Sequence, residues 1–214
     1  MNTDRNPKNQ VGTNRPKSVF GRIERVPLGT MVLLLALAAI TIMFAVLVVA
    51  YVSARAGSTQ LPGLHPFPRY FSLSTIIIVL SSYVLAQAPR LYKQDDLTML
   101  GRCLLASLLL GAVFAGLQML GWRELTQQGV KFQGESSGTF VYLISALHVL
   151  HLLGGMAFLL FMLVSVTHAD RDAVRHLVYI RNPYRRRQLR LLSIYWHFID
   201  VLWVALFAVF LFLY

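Results

Sequence analysis

The chain has 214 residues, of which 56% are hydrophobic and only 14% charged, and its formal net charge is +11. A soluble globular chain has about a quarter of its residues charged, so this composition excludes an ordinary soluble domain and points to an integral membrane protein. The basic excess sits in the tail and loops that flank long apolar runs, which is membrane topology rather than a nucleic-acid surface, and the single cysteine, Cys103, excludes an intramolecular disulfide, a C-x-x-C-H haem site and a cysteine zinc cluster.

Residues 1–27 form a polar, basic tail rich in Asn, Lys and Arg. The apolar run that follows is too long for a signal-peptide core and lacks a small-residue cleavage site, so it reads as a retained span. A span needs about 20 mostly apolar residues at helical rise. Five runs qualify: 28–52, 71–88, 97–121, 138–166 and 191–214. Without water to satisfy the backbone they should be helices. The expected fold is therefore all-α: a five-transmembrane-helix bundle over 28–214, preceded by a cytoplasmic tail. The tail and the second and fourth loops carry sixteen of the twenty Lys and Arg residues. The positive-inside rule then predicts the N-terminus inside and the C-terminus outside. The fourth loop is read as an extramembrane connection.

Ionisable groups within spans are costly and mark function or structure. Of nine acidic residues only Asp200 falls in a span, and of six histidines only His148, His151 and His197 do. His148 and His151 share a helix face at i,i+3, as do His197 and Asp200. The depths of the two helices allow a contact between His151 and Asp200. Three readings compete: a single-metal site, a proton relay, and interhelical hydrogen bonding. Three histidines and one aspartate do not suffice for a haem-plus-copper centre. Interhelical hydrogen bonding is the preferred reading.

Small residues permit close helix approach. Ser107, Gly111 and Ala115 recur at i,i+4 in the third span, and Gly154 and Gly155 follow the histidine pair in the fourth. Arg185, Arg186 and Arg187 at the inner end of the last span are expected to snorkel to lipid headgroups. Trp122, Tyr195 and Trp196 are expected in the aromatic belts.

The last span, with Tyr195, Trp196, His197, Phe198, Asp200 and Trp203, resembles the final helix of subunit III of the haem-copper terminal oxidases, which carries a Y-W-H-F-x-D-x-x-W pattern. The fourth span is similar to that family's G-[ST]-x-F and H-x-x-H-x-x-G-G segments through Gly138, Thr139, His148, His151, Gly154 and Gly155. The third resembles its L-G-x-x-F-x-x-L-Q segment through Gly111, Phe114 and Gln118. The chain resembles the shortened bacterial form, which lacks the first two of the family's seven helices. One departure matters. Matching Met43 and Phe44 to the family's E-x-M-F-F puts Thr41 where the family often has glutamate, so that glutamate's role does not transfer.

The resemblance implies a non-catalytic subunit of a bacterial respiratory oxidase that reduces dioxygen and pumps protons. Its implied roles are to stabilise catalytic subunit I, to bind phospholipid, and to support proton uptake and dioxygen access. It implies no cofactor in this subunit, haem and copper in the partners, and a place in the cytoplasmic (inner) membrane, open to a respiratory supercomplex. Cytochrome c is the expected donor. Alternatives are a quinol oxidase subunit III, an accessory subunit of a nitric oxide reductase and, from another class, a proton-coupled transporter using Asp200.

Overall fold

A computed structural model describes residues 28–56, 69–128 and 136–213; the N-terminal tail lies outside the described residues. Among the described residues there are seven helices: α1 (Leu28–Ala56), α2 (Arg69–Leu85), α3 (Ala88–Lys93), α4 (Leu97–Gln127), α5 (Ser136–Asp170), α6 (Ala173–Arg181) and α7 (Pro183–Leu213). Five stretches are long and apolar enough to cross a membrane: α1, α2 continued by α3, α4, α5 and α7. The chain is a multi-pass, all-α membrane protein. Leu- and Ala-rich sequence favours helix, and in lipid the helix is the form that pairs its own backbone.

The breaks follow local chemistry. The second run, expected to continue to residue 88, leaves the helix after Leu85, because Pro89 has no N–H to carry the ladder forward. It resumes as α3 with proline in its first turn, where the missing N–H does no harm. Asp95 turns the chain in the left-handed region (φ 58°) that Asp tolerates. Asp96 then caps α4 by accepting from the Met99 N–H at 2.8 Å.

The fourth loop differs from expectation. It holds the capped helix α6, and α7 begins at Pro183 rather than Leu191. Asp172 accepts from the Val174 N–H at 3.1 Å, and Asn182 from the Tyr184 N–H at 2.9 Å. Asn at the cap followed by Pro183 is a helix start that an apolar-run criterion misses.

The helices pack in the circuit α2–α4–α5–α1–α7–α2, with α5 also against α7. The α2–α4 pair is the most extensive. The start of α1 lies beside the start of α7, with the Cβ position of Gly29 3.8 Å from Leu191 Cδ1. Its end meets the end of α7, where Arg55 Nε donates to the Leu213 carbonyl at 3.0 Å. The two helices are therefore parallel. Helix α6 covers α3, whose Tyr92 hydroxyl donates to the Ile180 carbonyl at 3.0 Å, and Thr98 donates to Asp170 at 2.9 Å. These contacts put the α1 and α7 starts, α3 and α6 at one end of the bundle. Ten of the thirteen described Lys and Arg residues lie at that end.

Helix α1 is the outlier. Its buried residues are Leu37, Phe44 and Tyr51, seven apart, so it touches the bundle along one narrow stripe. Ile40, Met43, Leu47 and Val48 flank that stripe half-buried, and much of the remaining surface is apolar and exposed, Leu35 at 74% for example.

Candidate functional site

At 100° per residue a helix sends consecutive side chains to different neighbours, and α7 does so with the Tyr195–Trp203 motif. Tyr195 turns to α5, its hydroxyl donating to the His151 carbonyl at 2.8 Å. Its ring lies where a side chain on Gly155 would be, with a Cβ there only 2.9 Å from Tyr195 Cε1. Trp196 turns to α2 and α4. Its indole N–H donates to Ser81 Oγ at 3.1 Å, and its ring lies over Gly111. Trp203 donates to Thr75 Oγ1 at 3.0 Å, and its ring meets His148 on α5 and Phe114 on α4 with centroids 4.9 and 5.2 Å away.

The chain's third tryptophan, Trp122 on α4, donates to Ser145 on α5 at 2.8 Å. Each tryptophan thus ties its helix to a hydroxyl on another. Such bonds hold membrane helices together when the hydrophobic effect does not.

The ionisable residues fall into two separate places. His148 is fully enclosed by Phe44, Phe114 and Trp203, and neither ring nitrogen has a hydrogen-bond partner. His151, one turn on, is partly exposed and uses Nδ1 on its own Leu147 carbonyl at 2.7 Å. His197 and Asp200 face α2 instead. His197 Nδ1 and Ser82 Oγ are 2.5 Å apart, and Asp200 also lies beside Ser82. Asp200 is only 3% exposed, and neither carboxylate oxygen has a hydrogen-bond partner.

The contact between His151 and Asp200 that helix depth allows is not made, because Asp200 lies beside Ser82 on α2 while Tyr195 occupies the α5 side. Among the described residues no three His, Cys, Asp or Glu side chains converge on a point that could hold a metal ion.

Several sequence expectations need correcting. Trp196 is not in an aromatic belt. It is 1% exposed and belongs to the core, while Trp122 bonds across to α5. In α4, Ser107 and Gly111 are buried but Ala115 is only half-buried. Steps of four advance 40° beyond a full turn, so the buried face passes instead through Phe114, Gln118 and Gly121. Gly155 is enclosed while Gly154 is exposed. Of the three arginines, Arg186 and Arg187 are exposed, but Arg185 folds back over the Tyr179 ring at 5.3 Å and bonds Gln188 at 3.0 Å.

The sequence reading passed over the hydroxyls of α2. Ser74 and Ser81, and Thr75 and Ser82, are seven apart, a spacing that puts each pair on one side of the helix. Ser74 accepts from Gln118 at 2.9 Å, and the other three receive or share bonds from α7. It also passed over Gly121, where a Cβ would sit 2.6 Å from Phe71 Cε1.

No family model matches the chain. Curated relatives do. It is 29% identical over 172 residues to a cytochrome c oxidase subunit 3 of Bacillus sp. PS3, covering 79% of this chain and 78% of that protein. It is 28% identical over 134 residues to a probable cytochrome c oxidase subunit 3 of Nocardia farcinica, covering 63% of this chain and 61% of that protein. It is 26% identical over 136 residues to a probable quinol oxidase subunit 3 of Staphylococcus haemolyticus, covering 64% and 63%.

The chain is thus similar to proteins named as subunit 3 of cytochrome c and quinol oxidases. It spans less than two thirds of the length of the Nocardia protein. The Tyr195–Trp203 motif in α7 is a set of interhelical ties. Thr41, at the position matched to the family glutamate, is exposed and donates to the Leu37 carbonyl of its own helix at 2.8 Å.

Proposed function

We propose that the chain is the non-catalytic subunit III of a bacterial haem-copper oxidase that takes electrons from cytochrome c, reduces dioxygen and pumps protons. One observation carries this reading: the α7 motif that resembles the subunit III pattern is spent on holding helices together. Tyr195, Trp196 and Trp203 each bond to another helix. The subunit packs against catalytic subunit I, whose haem and copper do the chemistry, and holds no cofactor of its own. Its basic end faces the cytoplasm, with the N-terminus inside and the C-terminus outside, as the positive-inside rule requires. It lies in the cytoplasmic membrane, with exposed Arg186 and Arg187 at the headgroups and phospholipid along α1. Through these contacts it sustains proton uptake and dioxygen access in subunit I.

The test is gentle co-purification with mass spectrometry of the partners and a haem spectrum of the complex. A haem-copper oxidase with a cytochrome c site is the expected result. A quinol-oxidising partner would move the chain to the class named for the Staphylococcus relative. A nitric oxide reductase partner would overturn the oxidase assignment. Solute movement by the purified chain in liposomes would support the proton-coupled transporter instead.

A further inference from the structure

The basic end of the bundle holds a cavity of about 470 Å³ between the last turns of α5, helix α6 and the first turn of α7. Small-molecule ligands occupy cavities of this size. Two cations line it, Arg175 from α6 and Arg185 from α7, with His168 of α5 beside them. Among the described residues no Asp or Glu does. Much of the remaining wall is apolar, including Val164 on α5 and Val174 and Val178 on α6.

These donors have capacity left over. Arg185 lies over the Tyr179 ring, 5.3 Å from its centroid, and uses Nη1 on Gln188 at 3.0 Å. A neutral ring and an amide fix the guanidinium without neutralising it. Tyr179 beneath is only 7% exposed, and its hydroxyl has no hydrogen-bond partner. His168 uses Nδ1 on the Val164 carbonyl at 2.9 Å, which leaves Nε2 open. Arg175 meets Asp172 at 3.5 Å, but that pair is exposed and lies within one helix turn, the kind that contributes little.

Depth suits an interfacial ligand. The span in α5 runs over Gly138–Asp170, 33 residues, about 50 Å at helical rise. A bilayer has a hydrocarbon core of about 30 Å and a full thickness of about 40–45 Å, so residues 164–170 reach headgroup level. Helix α6 leaves Val174, Leu177 and Val178 exposed on one face, beside exposed Arg175 and Arg181. A basic helix with one apolar face lies along a membrane surface. A ligand in the cavity meets guanidinium groups and valines together, which fits a phosphate carried on acyl chains.

We propose that this cavity binds one anionic phospholipid, its phosphate held by Arg185 and Arg175 and its glycerol and acyl portion resting against Val174 and Val178. The planar guanidinium matches phosphate oxygens two at a time, which a diffuse surface charge does not. This site depends on the membrane topology and not on the oxidase reading, and it is separate from the lipid along α1.

The test is native mass spectrometry of the full chain in a neutral detergent, delipidated and then titrated with phosphatidylglycerol. One tightly retained lipid per chain is expected, and none retained would overturn the site outright. Arg185→Gln should weaken retention roughly tenfold or more, the value of a charge-assisted hydrogen bond. Arg186→Gln removes the same charge from an exposed neighbour outside the cavity, and should change retention less than roughly threefold because that charge is screened. Val178 is 63% exposed, so Val178→Asp leaves the bundle packing alone. It puts a carboxylate in the wall and should abolish retention with both arginines in place. Equal losses in Arg185→Gln and Arg186→Gln would reveal diffuse attraction and overturn the site, as would full retention in Val178→Asp. Excess glycerol 3-phosphate should leave the lipid bound; displacement would overturn the lipid assignment in favour of a soluble phosphate ester. The oxidase partners are identified separately by co-purification, so failure here leaves the subunit reading intact.

Discussion

The contact between Gly111 and Trp196 gives the sharpest test of the packing. A Cβ on Gly111 would lie 3.1 Å from Trp196 Cη2 and 3.4 Å from Cζ2. The indole has nowhere to retreat, since it is 1% exposed and bonded to Ser81 at 3.1 Å. Gly111→Ala should therefore overpack the α4–α7 contact and destabilise by about 1–3 kcal/mol. That is less the ~1 kcal/mol that alanine gains over glycine inside a helix.

Trp196→Phe removes the indole N–H, worth about 0.6–1.7 kcal/mol across membrane helices. It also leaves a void that adds roughly 1 kcal/mol. However, it deletes the two ring carbons that block Gly111. In the Trp196→Phe background Gly111→Ala should be neutral or stabilising, a coupling of about 1–2 kcal/mol. Reversible unfolding in sodium dodecyl sulfate, followed by far-ultraviolet circular dichroism on all four chains of the cycle, measures it. Effects that add within about 0.5 kcal/mol would show that this close approach does not set the stability.

Three further outcomes follow from the same geometry. Asp200→Asn should weaken assembly or shorten activity over many turnovers while leaving initial turnover unchanged; immediate loss of electron transfer in a fully assembled oxidase would refute a structural role for Asp200. His148→Phe should keep or raise the melting temperature, because both ring nitrogens are buried without partners and the cage is aromatic; a fall in stability, or lost turnover with packing intact, would show that the imidazole has a task. Burial pushes the Tyr179 phenol, outside the spans, from 10.0 up to about 12. The folded state thus favours the neutral phenol, so its contribution is complete below pH ~10 and about 2–3 kcal/mol is lost as pH rises towards 12. Alkaline melting curves of the parent and Tyr179→Phe should diverge there, and curves that stay parallel would rule this out.

The span count was legible because apolar run length is a direct record of bilayer thickness. The start of α7 was not, since Pro183–Arg190 is basic and only the Asn182–Pro183 cap announces it. The small residues at 107 and 111 were legible as packing positions. Ala115 failed because a fixed step of four drifts off the buried face, whereas the face of α4 advances by alternating threes and fours. Whether Asp200 meets His151 was not legible for a related reason. Depth along a helix can be read from residue number, but azimuth depends on which neighbour each face meets. Tyr195 and Gly155 fix that azimuth through a contact no spacing rule contains.

That azimuth also explains why a compact motif can contribute to several interfaces at once. Tyr195, Trp196 and His197 are consecutive, so they point roughly 100° apart. The first two meet α5 and the α2–α4 pair, and with the bundle inside that arc the third must emerge at its edge. Moving the histidine one residue either way would bury it or turn it further outward, away from Ser82. A bond within the bundle on one ring nitrogen and an open valence on the other follow from placing an imidazole at the edge of a packed helix. The same placement on α1, which touches its neighbours along a single stripe, would leave both nitrogens in lipid. An imidazole tied into its own bundle therefore belongs on a helix packed on several sides, as α7 is by α1, α2 and α5.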